Sequence, residues 1–437
     1  MHNTYLFIIF VLKISNLRNK QSVNSNKQYM RIIKLAAMLL MLAVVPEAMA
    51  CTTAIISGRY TIDGRPLMLK NRDSSRMNNV YVSGDSAKYA WIAVVPIEDD
   101  SDRGVMYGQN EVGLAVMNST SYNLLQKTDN PLARGNIMCW ALERCSTVDE
   151  FEAMIAEMKY FSYGSNYGVM DAQGHAAYFE CGHLGYKKYD VDDPTVAPHG
   201  YIVRSNFSMS GDIKEGKGFA RYNKAVEILE EDYQNKQLGW RSLLKMARCL
   251  EHGMTKVNLY DQMPADENAE DIAYFCDFIP RYTTASAYIV QGVKKGENPL
   301  LTTGWTCIAS PMVTVTIPIW TAPASQLPQC VRRDEGGRCL LVDWSTAFKS
   351  YIWPLEYSDG QNYIRLGRLI NKAGTGILQQ IQPVEDEIVK RGEKLQKSFY
   401  KHNKIDERKL KEYYDWVDRF VADEYAKIGN SHSVRIN

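Results

Sequence analysis

The sequence predicts an α+β fold in which hairpin-linked antiparallel strands form sheets and helices pack against them. Short apolar segments separated by turn signals recur from residue 51 to about residue 320, which is typical of strands. Asp63-Gly64, between two of these segments, is a hairpin signal. The last third instead carries apolar residues at helical spacing, most clearly over 406–427.

The predicted strands are short, and turn residues bound them. The first, CTTAIISG, is largely apolar and is expected to be buried. Asn110-Glu111-Val112-Gly113 makes the turn between two later strands. Strands are predicted at 51–58, 65–70, 80–82, 90–96, 105–108, 114–117, 167–171, 175–180, 201–205, 285–291, 306–309 and 313–319.

Helices are predicted where apolar residues recur at intervals of three and four. Ser146-Thr147-Val148-Asp149 is a capping signal that divides the first helical region in two. Pro383 is expected to interrupt 376–388, because proline lacks the N–H that a helix interior uses. Helical regions are predicted at 131–158, 219–231, 241–251, 364–369, 376–388 and 406–427.

Residues 30–50 have the three parts of a secretory signal peptide: a basic start, an apolar run and a small-residue cleavage site. The basic start is Met30–Lys34, the apolar run is Leu35–Val45, and Ala48-x-Ala50 is the cleavage site. The sequence therefore predicts export, to the periplasm or outside the cell, with signal peptidase cutting after Ala50. Residues 1–29 precede this complete signal and are predicted to be untranslated or dispensable.

Cleavage after Ala50 would make Cys51 the first residue, with a thiol and a free α-amine together. An α-amine has a pKa of roughly 7.7–8.0, so it can accept the thiol proton near neutral pH. Cys51 would then be both nucleophile and base. Two other interpretations stay open: an ordinary structural cysteine, and the lipid-modified cysteine of a lipoprotein. Ala48 favours the free amine, because lipoprotein signals usually carry Leu at that position.

Charge and cysteine content exclude several classes of function. There are 51 basic and 50 acidic residues, so no nucleic acid or anionic surface is predicted as a partner. The sequence has no CxxC pair and no HExxH motif, and no metal or cofactor is predicted. Among the nine cysteines, Cys330 and Cys339 are the best local pair for a disulfide, whereas Cys139 and Cys145 are expected in the core.

The second predicted strand ends in Lys70-Asn71-Arg72-Asp73, and the hairpin brings this end back beside Cys51. A basic group and a carboxylate would therefore lie near the thiol. Asn118, at the end of another strand, is a neutral amide able to donate to a developing oxyanion. The alternative is that these polar residues simply form solvated turns.

Taken together, these motifs resemble the cysteine N-terminal-nucleophile hydrolases of the choloylglycine hydrolase, penicillin V acylase and acyltransferase group. The opening Cys51-Thr52-Thr53, the hairpin Asp63–Leu67 and Asn71-x-Asp73 are similar to that family's start. Asn110-Glu111-x-Gly113-Leu114 leading to Asn118 is similar to its NExGL segment. Two later matches in the same order are Asn206, after the strand 201–205, and Arg221, in ARYNKA.

The resemblance implies an αββα sandwich of two antiparallel sheets between helix layers. It implies that Cys51 attacks an amide carbonyl, that Asn118 and Asn206 hold the oxyanion, and that Asp73 orients the α-amine. Arg221 would set local charge. The family usually has Arg where Lys70 stands, whereas here Arg72 lies inside the motif; both are predicted to contact substrate.

The predicted function is an exported hydrolase of linear, non-peptide amide bonds that acts through a thioester on an N-acyl amide or bile-salt-like substrate. Acyl transfer, dipeptidase activity and a lipid-anchored binding protein without catalysis stay open as alternatives. The predicted domain is 51–360, with helices of 361–437 packed on it. Whether the chain forms a homo-oligomer is left open.

Overall fold

A computed structural model describes residues 50–436, with gaps at 86–87, 100, 102, 126–133, 159–160 and 324–325. The predicted extension 1–29 and all of the predicted signal peptide except Ala50 lie outside the described residues. All of the described residues belong to one compact unit. The proposed boundary at residue 360 stays a prediction.

Most of the strands form two antiparallel sheets. The first sheet has the order β10-β1-β2-β12-β13-β14, and the second runs β3 to β9 in sequence order as a meander. β11 and β15 form a separate pair. The strands are β1 Cys51–Ile56, β2 Leu67–Asp73, β3 Asn79–Gly84, β4 Trp91–Pro96, β5 Tyr107–Asn110, β6 Ala115–Thr120, β7 Ser165–Met170, β8 Ala176–Gly182, β9 Gly185–Asp190, β10 Tyr201–Arg204, β11 Ile272–Tyr274, β12 Thr284–Gln291, β13 Thr303–Cys307, β14 Ile317–Trp320 and β15 Tyr363–Arg365.

The helices of the described residues lie mainly between the strands and at the C-terminal end of the chain. They are α1 Arg134–Arg144, α2 Val148–Ala156, α3 Phe219–Gln234, α4 Trp240–Ala247, α5 Leu340–Ile352, α6 Leu366–Leu369, α7 Ile377–His402 and α8 Glu407–Ser431. The Thr147 side chain accepts from the Glu150 N–H and caps α2, as the sequence predicts.

The two sheets face each other and are covered by helices on their outer sides. Side chains alternate along β1: Ile55 joins the cluster shared by both sheets, whereas Ala54 and Ile56 face α3 and α4. The outer face of the second sheet packs against α1 and α2. These four layers confirm the predicted α+β sandwich. By the same alternation, the side chain of Cys51 lies on the inter-sheet side, with Ile55.

The C-terminal helices pack on the open end of the first sheet, where α7 contacts β14 and α8 contacts α7. The predicted interruption at Pro383 is wrong, because α7 continues through this residue. Burial of Ile381, Val384 and Ile388 stabilises the helix on both sides of the proline, which offsets the missing hydrogen bond.

Two sequence expectations about other elements and cysteines need correction. α5 was not predicted. The strands β9, β11 and β15 were not predicted either, because β9 is half-exposed and polar and the other two have only three residues each. Cys330 and Cys339 are close, yet they are free thiols, and Cys339 Sγ lies 3.2 Å from the Cys330 carbonyl oxygen. Cys139 and Cys145 are buried in the core, as predicted.

Two properties of the described part of the chain concern membranes and metals. None of its helices combines the length and the apolar character needed to cross a bilayer. Nor do three or more of its His, Cys, Asp and Glu side chains come together as a metal site.

Candidate active site

The site is built where β1 begins and β2 ends, since antiparallel pairing places Cys51 opposite Arg72. Cys51 is only 4% exposed and is the first residue of β1, which lies between β10 and β2 in the first sheet. Directly cross-strand residues have Cβ atoms about 4.5–5.5 Å apart. The thiol and the guanidinium are therefore neighbours on the inter-sheet side.

The backbone of Cys51 is held by Asn206 and Arg221. The Cys51 nitrogen donates to Asn206 Oδ1 at 3.0 Å, and Arg221 Nη1 donates to the Cys51 carbonyl at 2.6 Å. Arg221 Nη1 also donates to Thr52 Oγ1 at 3.0 Å. All these groups are buried. Two residues far from Cys51 in sequence thus fix the position of the first residue of β1.

The orientation of the Asn206 amide follows from its partners. Arg221 Nη2 donates to Asn206 Oδ1 at 2.8 Å, and a guanidinium has no acceptor. The oxygen must therefore face Arg221, while Nδ2 donates to the Thr120 carbonyl at 2.9 Å. Asn206 consequently presents an acceptor to the nitrogen of Cys51. Burial lowers the pKa of Arg221 to about 10, which leaves the guanidinium charged at neutral pH.

Arg72 is a buried cation with donors to spare. It is 1% exposed, and its Nη1 donates to the Arg76 carbonyl at 2.9 Å and to Asn79 Oδ1 at 2.8 Å. Its Nε and Nη2 have no hydrogen-bond partner among the described residues. Burial lowers the pKa of Arg72, and the adjoining Cys51 thiol acts in the opposite direction. The site thus contains two unused charged N–H groups beside the thiol.

Two hydroxyl groups near Arg72 are also without partners. Ser286 is the cross-strand neighbour of Arg72 on β12. Tyr107 reaches the same region from the second sheet and stacks on Tyr288 with a ring-centroid distance of 4.3 Å. Tyr107 Oη lies beside Ser286 Oγ, yet the pair falls outside hydrogen-bond geometry. Unsatisfied polar groups from both sheets therefore lie near Arg72, the cross-strand partner of Cys51.

Lys70 and Asn118 connect the two sheets close to this region. Lys70 Nζ donates to Asn118 Oδ1 at 2.8 Å and to the Met106 carbonyl at 2.7 Å. Because an ammonium only donates, Asn118 must turn its oxygen toward Lys70. Its Nδ2 then donates to Ser165 Oγ at 3.0 Å and retains one further proton. Within the described residues Asn118 makes no hydrogen bond to Cys51.

Asp73 is held by residues that the sequence analysis did not identify. Arg281 donates to Asp73 Oδ2 through Nε at 2.8 Å and Nη2 at 2.7 Å, and Thr284 Oγ1 donates to Oδ1 at 2.6 Å. Burial works against the charge of Arg281, but the Asp73 carboxylate more than offsets it and raises the pKa of Arg281. The Asp73 backbone N–H donates to the Ala50 carbonyl at 2.8 Å. Asp73 thus contacts the Ala50–Cys51 peptide bond through its backbone.

Comparison with solved structures finds several chains similar to this one. An N-acylethanolamine-hydrolyzing acid amidase ortholog from Caenorhabditis elegans is 14% identical, over 57% of this chain and 93% of its own, with a TM-score of 0.37. A variant of conjugated bile acid hydrolase from Clostridium perfringens is 13% identical, over 62% and 92%, with a TM-score of 0.38. Penicillin V acylase from Agrobacterium tumefaciens is 12% identical, over 62% and 86%, with a TM-score of 0.32.

The described residues form an αββα sandwich of two antiparallel sheets between helix layers, which is the architecture that the family resemblance implies. No protein-family model matches the chain, and no curated protein matches it.

The sandwich brings most of the predicted site residues to one end of the first sheet. Asn206 and Arg221 contact the Cys51 backbone directly, and Arg72 is its cross-strand partner. Asn118 is connected to this group through Lys70. Lys70 and Arg72 are buried in this structure, so their predicted contact with substrate stays a prediction.

Sequence reasoning missed Arg281, Thr284, Ser286 and Tyr107. Arg281 lies in the irregular segment before β12, and Thr284 is the first residue of β12. Their common partner Asp73 is 208 residues from Arg281 and 211 residues from Thr284 in the sequence. One signal was present in the sequence: β12 begins with the small polar residues Thr284 and Ser286, whereas a strand that only packs in the core would carry apolar residues there. It indicates the position of the site but not the identity of the partner.

Proposed function

We propose that the protein is an exported amidohydrolase in which Cys51, once it is the first residue, acts as both nucleophile and base. The observation that carries this proposal is the hydrogen bond from the Cys51 nitrogen to Asn206 Oδ1, together with Arg221 on the Cys51 carbonyl. In the described chain this nitrogen belongs to a peptide bond, and it stands in for the α-amine of the cleaved protein. The same contacts would hold that amine beside its own thiol.

The proposed reaction has two stages. The α-amine takes the thiol proton, and the thiolate attacks the carbonyl carbon of an amide. The C–N bond breaks, the departing amine takes the proton from the Cys51 ammonium, and a thioester remains. The α-amine then takes a proton from water, the resulting hydroxide attacks the thioester, and the Cys51 thiol leaves with its proton restored.

The oxyanion formed in each stage needs donors that are already in place. The unused Arg72 N–H groups and the second proton of Asn118 Nδ2 are the donors that this chain offers. Arg72 and Arg221 also place positive charge around the thiol. Asn206 is assigned to the amine, because Arg221 fixes its oxygen toward that nitrogen.

Burial of Cys51 supports the enzyme over the lipoprotein alternative. A lipid-modified cysteine has to reach the membrane surface, whereas here Cys51 is buried and paired with Arg72 of β2. Nothing in the contacts at Cys51 favours acyl transfer to an amine over transfer to water. We therefore propose hydrolysis of small N-acyl amides as the reaction class.

We expect the mature protein to begin at Cys51 and to hydrolyse members of an N-acyl amide panel, with Cys51→Ala reducing turnover to the uncatalysed background. The measurement combines intact mass and N-terminal sequencing of exported protein with release of the amine product. Cys249→Ala, which removes another thiol of the described chain, is the matched control and should retain turnover. An extended or acylated N-terminus in active protein would exclude the α-amine as base.

Lys70 provides a second test, because its bonds fix the donor end of Asn118. Lys70→Met removes both hydrogen bonds, and hydrogen bonds to charged groups are worth about 1.5–3 kcal/mol. We expect kcat to fall about 10- to 100-fold with little change in KM, and Lys70→Arg to restore part of it. Steady-state kinetics of the three proteins measures this. Equal losses in Thr53→Val, the cross-strand neighbour, would mean that the effect is general disturbance of the sheet.

A further inference from the structure

A cavity of about 150 Å³ lies beside the site described above and is unused by the proposed reaction. It is enclosed by α5, the loop after β2, the start of β12 and the segment after β13. The residues that bear on its chemistry are Thr284, Ser310, Lys349 and Glu356. In the first sheet β1, β2, β12 and β13 are neighbours; β1 and β12 begin at the end of the sheet where β2 and β13 finish. The cavity is therefore at the same end of this sheet as Cys51.

Lys349 places a buried amine on the wall of this cavity. It is 5% exposed, its Nζ donates to the Tyr282 carbonyl, and it lies 2.8 Å from Met77 Sδ. The ammonium is also 4.2 Å from the centroid of the Tyr282 ring. It forms no ion pair with any of the described residues, although Glu356 and Asp73 are near enough to favour its charge. Burial nevertheless lowers the pKa of Lys349 to about 7.

Ser310 gives the cavity a second unsatisfied polar group. It is 1% exposed, and its Oγ has no hydrogen-bond partner. An ammonium and a hydroxyl together can bind both oxygens of a carboxylate. A carboxylate bound here would also supply a direct counter-charge to Lys349, which burial otherwise drives toward the neutral amine.

The distance from Cys51 follows from the sheet. Thr284 lines the cavity and donates to Asp73, which adjoins the cross-strand partner of Cys51. β1 and β12 are two strand spacings apart, which corresponds to about 10 Å. We propose that this cavity binds a carboxylate carried by the amide substrate at about 10 Å from the carbonyl that Cys51 attacks. This inference rests on the proposed function.

The distance selects a class of substrate. An extended chain spans about 3.3–3.6 Å per residue, so the carboxylate of an N-acyl amino acid is too close to the reacting carbonyl. An N-acylated peptide of two or three residues, or a carboxylate of similar length, reaches the cavity. Neutral N-acyl amines would lack this contact.

The test is a ladder of N-acyl-glycine oligomers with one to four residues, each as the free acid and as the C-terminal amide. We expect kcat/KM for the acids to peak at two or three residues, about 10- to 100-fold above the matched amides. Lys349→Met should abolish this preference and leave turnover of the amides unchanged. Lys397→Met, which removes an exposed charge on α7, is the control and should keep it. A peak that survives Lys349→Met overturns the proposal.

A parallel ladder of dicarboxylic monoamides places the carboxylate on the acyl side of the scissile bond. A peak that depends on Lys349 in either ladder supports the proposal, and its absence from both overturns it. If no amide is hydrolysed, the proposed function fails separately. Calorimetry on the Cys51→Ala protein then decides, since the tripeptide acid should bind more tightly than its amide only when Lys349 is present.

The pH dependence gives a readout that a purely structural lysine would not affect. Below a pH of about 7 the ammonium of Lys349 is charged, so KM for the acids should rise as pH increases through this value. Burial raises the pKa of Tyr282, so this neighbour stays neutral over the same range. KM for the amides should not follow this change. Because Met is accommodated in a buried site without the cost of a charge, Lys349→Met should fold with an equal or higher melting temperature.

Discussion

Replacing Asn206 by leucine lowers kcat/KM by about 10²–10⁴, the range typical of a lost acid–base contribution. The reason is that the Asn206 oxygen receives both the Cys51 nitrogen and Arg221 Nη2. Leucine has a similar size but no acceptor, so the amine loses its orientation and Arg221 loses one of its partners. The measurement is steady-state hydrolysis of the best amide of the panel by wild type and variant.

The control has to separate loss of catalysis from loss of folded protein. Asn371 is another buried asparagine whose amide is fully used, since it donates to the Gly367 carbonyl and Thr375 Oγ1. Asn371→Leu should reduce stability and leave kcat/KM of the folded fraction unchanged. Asn206→Asp is informative as well, because a carboxylate keeps both acceptor contacts; activity closer to wild type than that of Asn206→Leu supports the acceptor role. Equal activity of wild type and Asn206→Leu would contradict it.

The largest effect on stability is expected at the buried ion pair between Arg248 and Glu385. Arg248 donates to Glu385 through Nη1 and Nη2, and Thr316 N donates to Glu385 Oε2 at 2.6 Å. Glu385→Gln leaves the buried guanidinium without its counter-charge. Breaking such a pair from one side typically costs about 3–5 kcal/mol. Denaturant titration followed by circular dichroism should show this decrease in the free energy of unfolding.

Two further variants test the electrostatic explanation. Glu412→Gln removes one partner of the exposed Arg408–Glu412 pair and should change stability by less than about 1 kcal/mol. The double variant Arg248→Met/Glu385→Leu removes both charges, so it should be less destabilised than Glu385→Gln. A double variant worse than Glu385→Gln would show that shape, and not charge, determines the loss.

The same pair predicts a pH dependence. Burial opposes ionisation of Glu385, but Arg248 and Thr316 more than offset it and lower the pKa of the carboxyl. The unfolded state therefore binds this proton at a higher pH than the folded state does. Its contribution is present above the ordinary carboxyl range and is lost as pH falls through the lowered value. The difference between wild type and Glu385→Gln should decrease over that acid range.

Local pattern was sufficient to predict the order of strands and helices around β1, because alternation and turn signals are properties of adjacent residues. It was also sufficient to predict that Lys70–Asp73 returns beside Cys51, since a hairpin determines that pairing. The partners of Asp73 could not be predicted, because Arg281 reaches it from more than two hundred residues away. Lys349 was missed for a different reason. α5 has no side-chain cap that would mark its start, and in the sequence its lysine resembles any lysine on the surface of a helix.

The resemblance predicted which residues gather, but not which atoms face each other. Asn206 was expected to donate to an oxyanion, whereas its oxygen faces the nitrogen of Cys51. That orientation follows from Arg221, a donor-only neighbour whose position depends on the packing of α3. Similarly, Lys70 determines the orientation of Asn118. Sequence spacing contains no information on either choice, because an amide can be rotated without changing any spacing.

The Ala50–Cys51 peptide bond is buried on both sides, with Asp73 N–H on its carbonyl and Asn206 on its N–H. A peptidase needs access to the bond that it cuts, and this bond is buried once β1 has joined the sheet. If the protein matures by the proposed cut after Ala50, cleavage therefore has to come before folding. A chain that folded uncut would keep its thiol but would not have the free amine beside it. The yield of active protein would then depend on the relative rates of cleavage and folding.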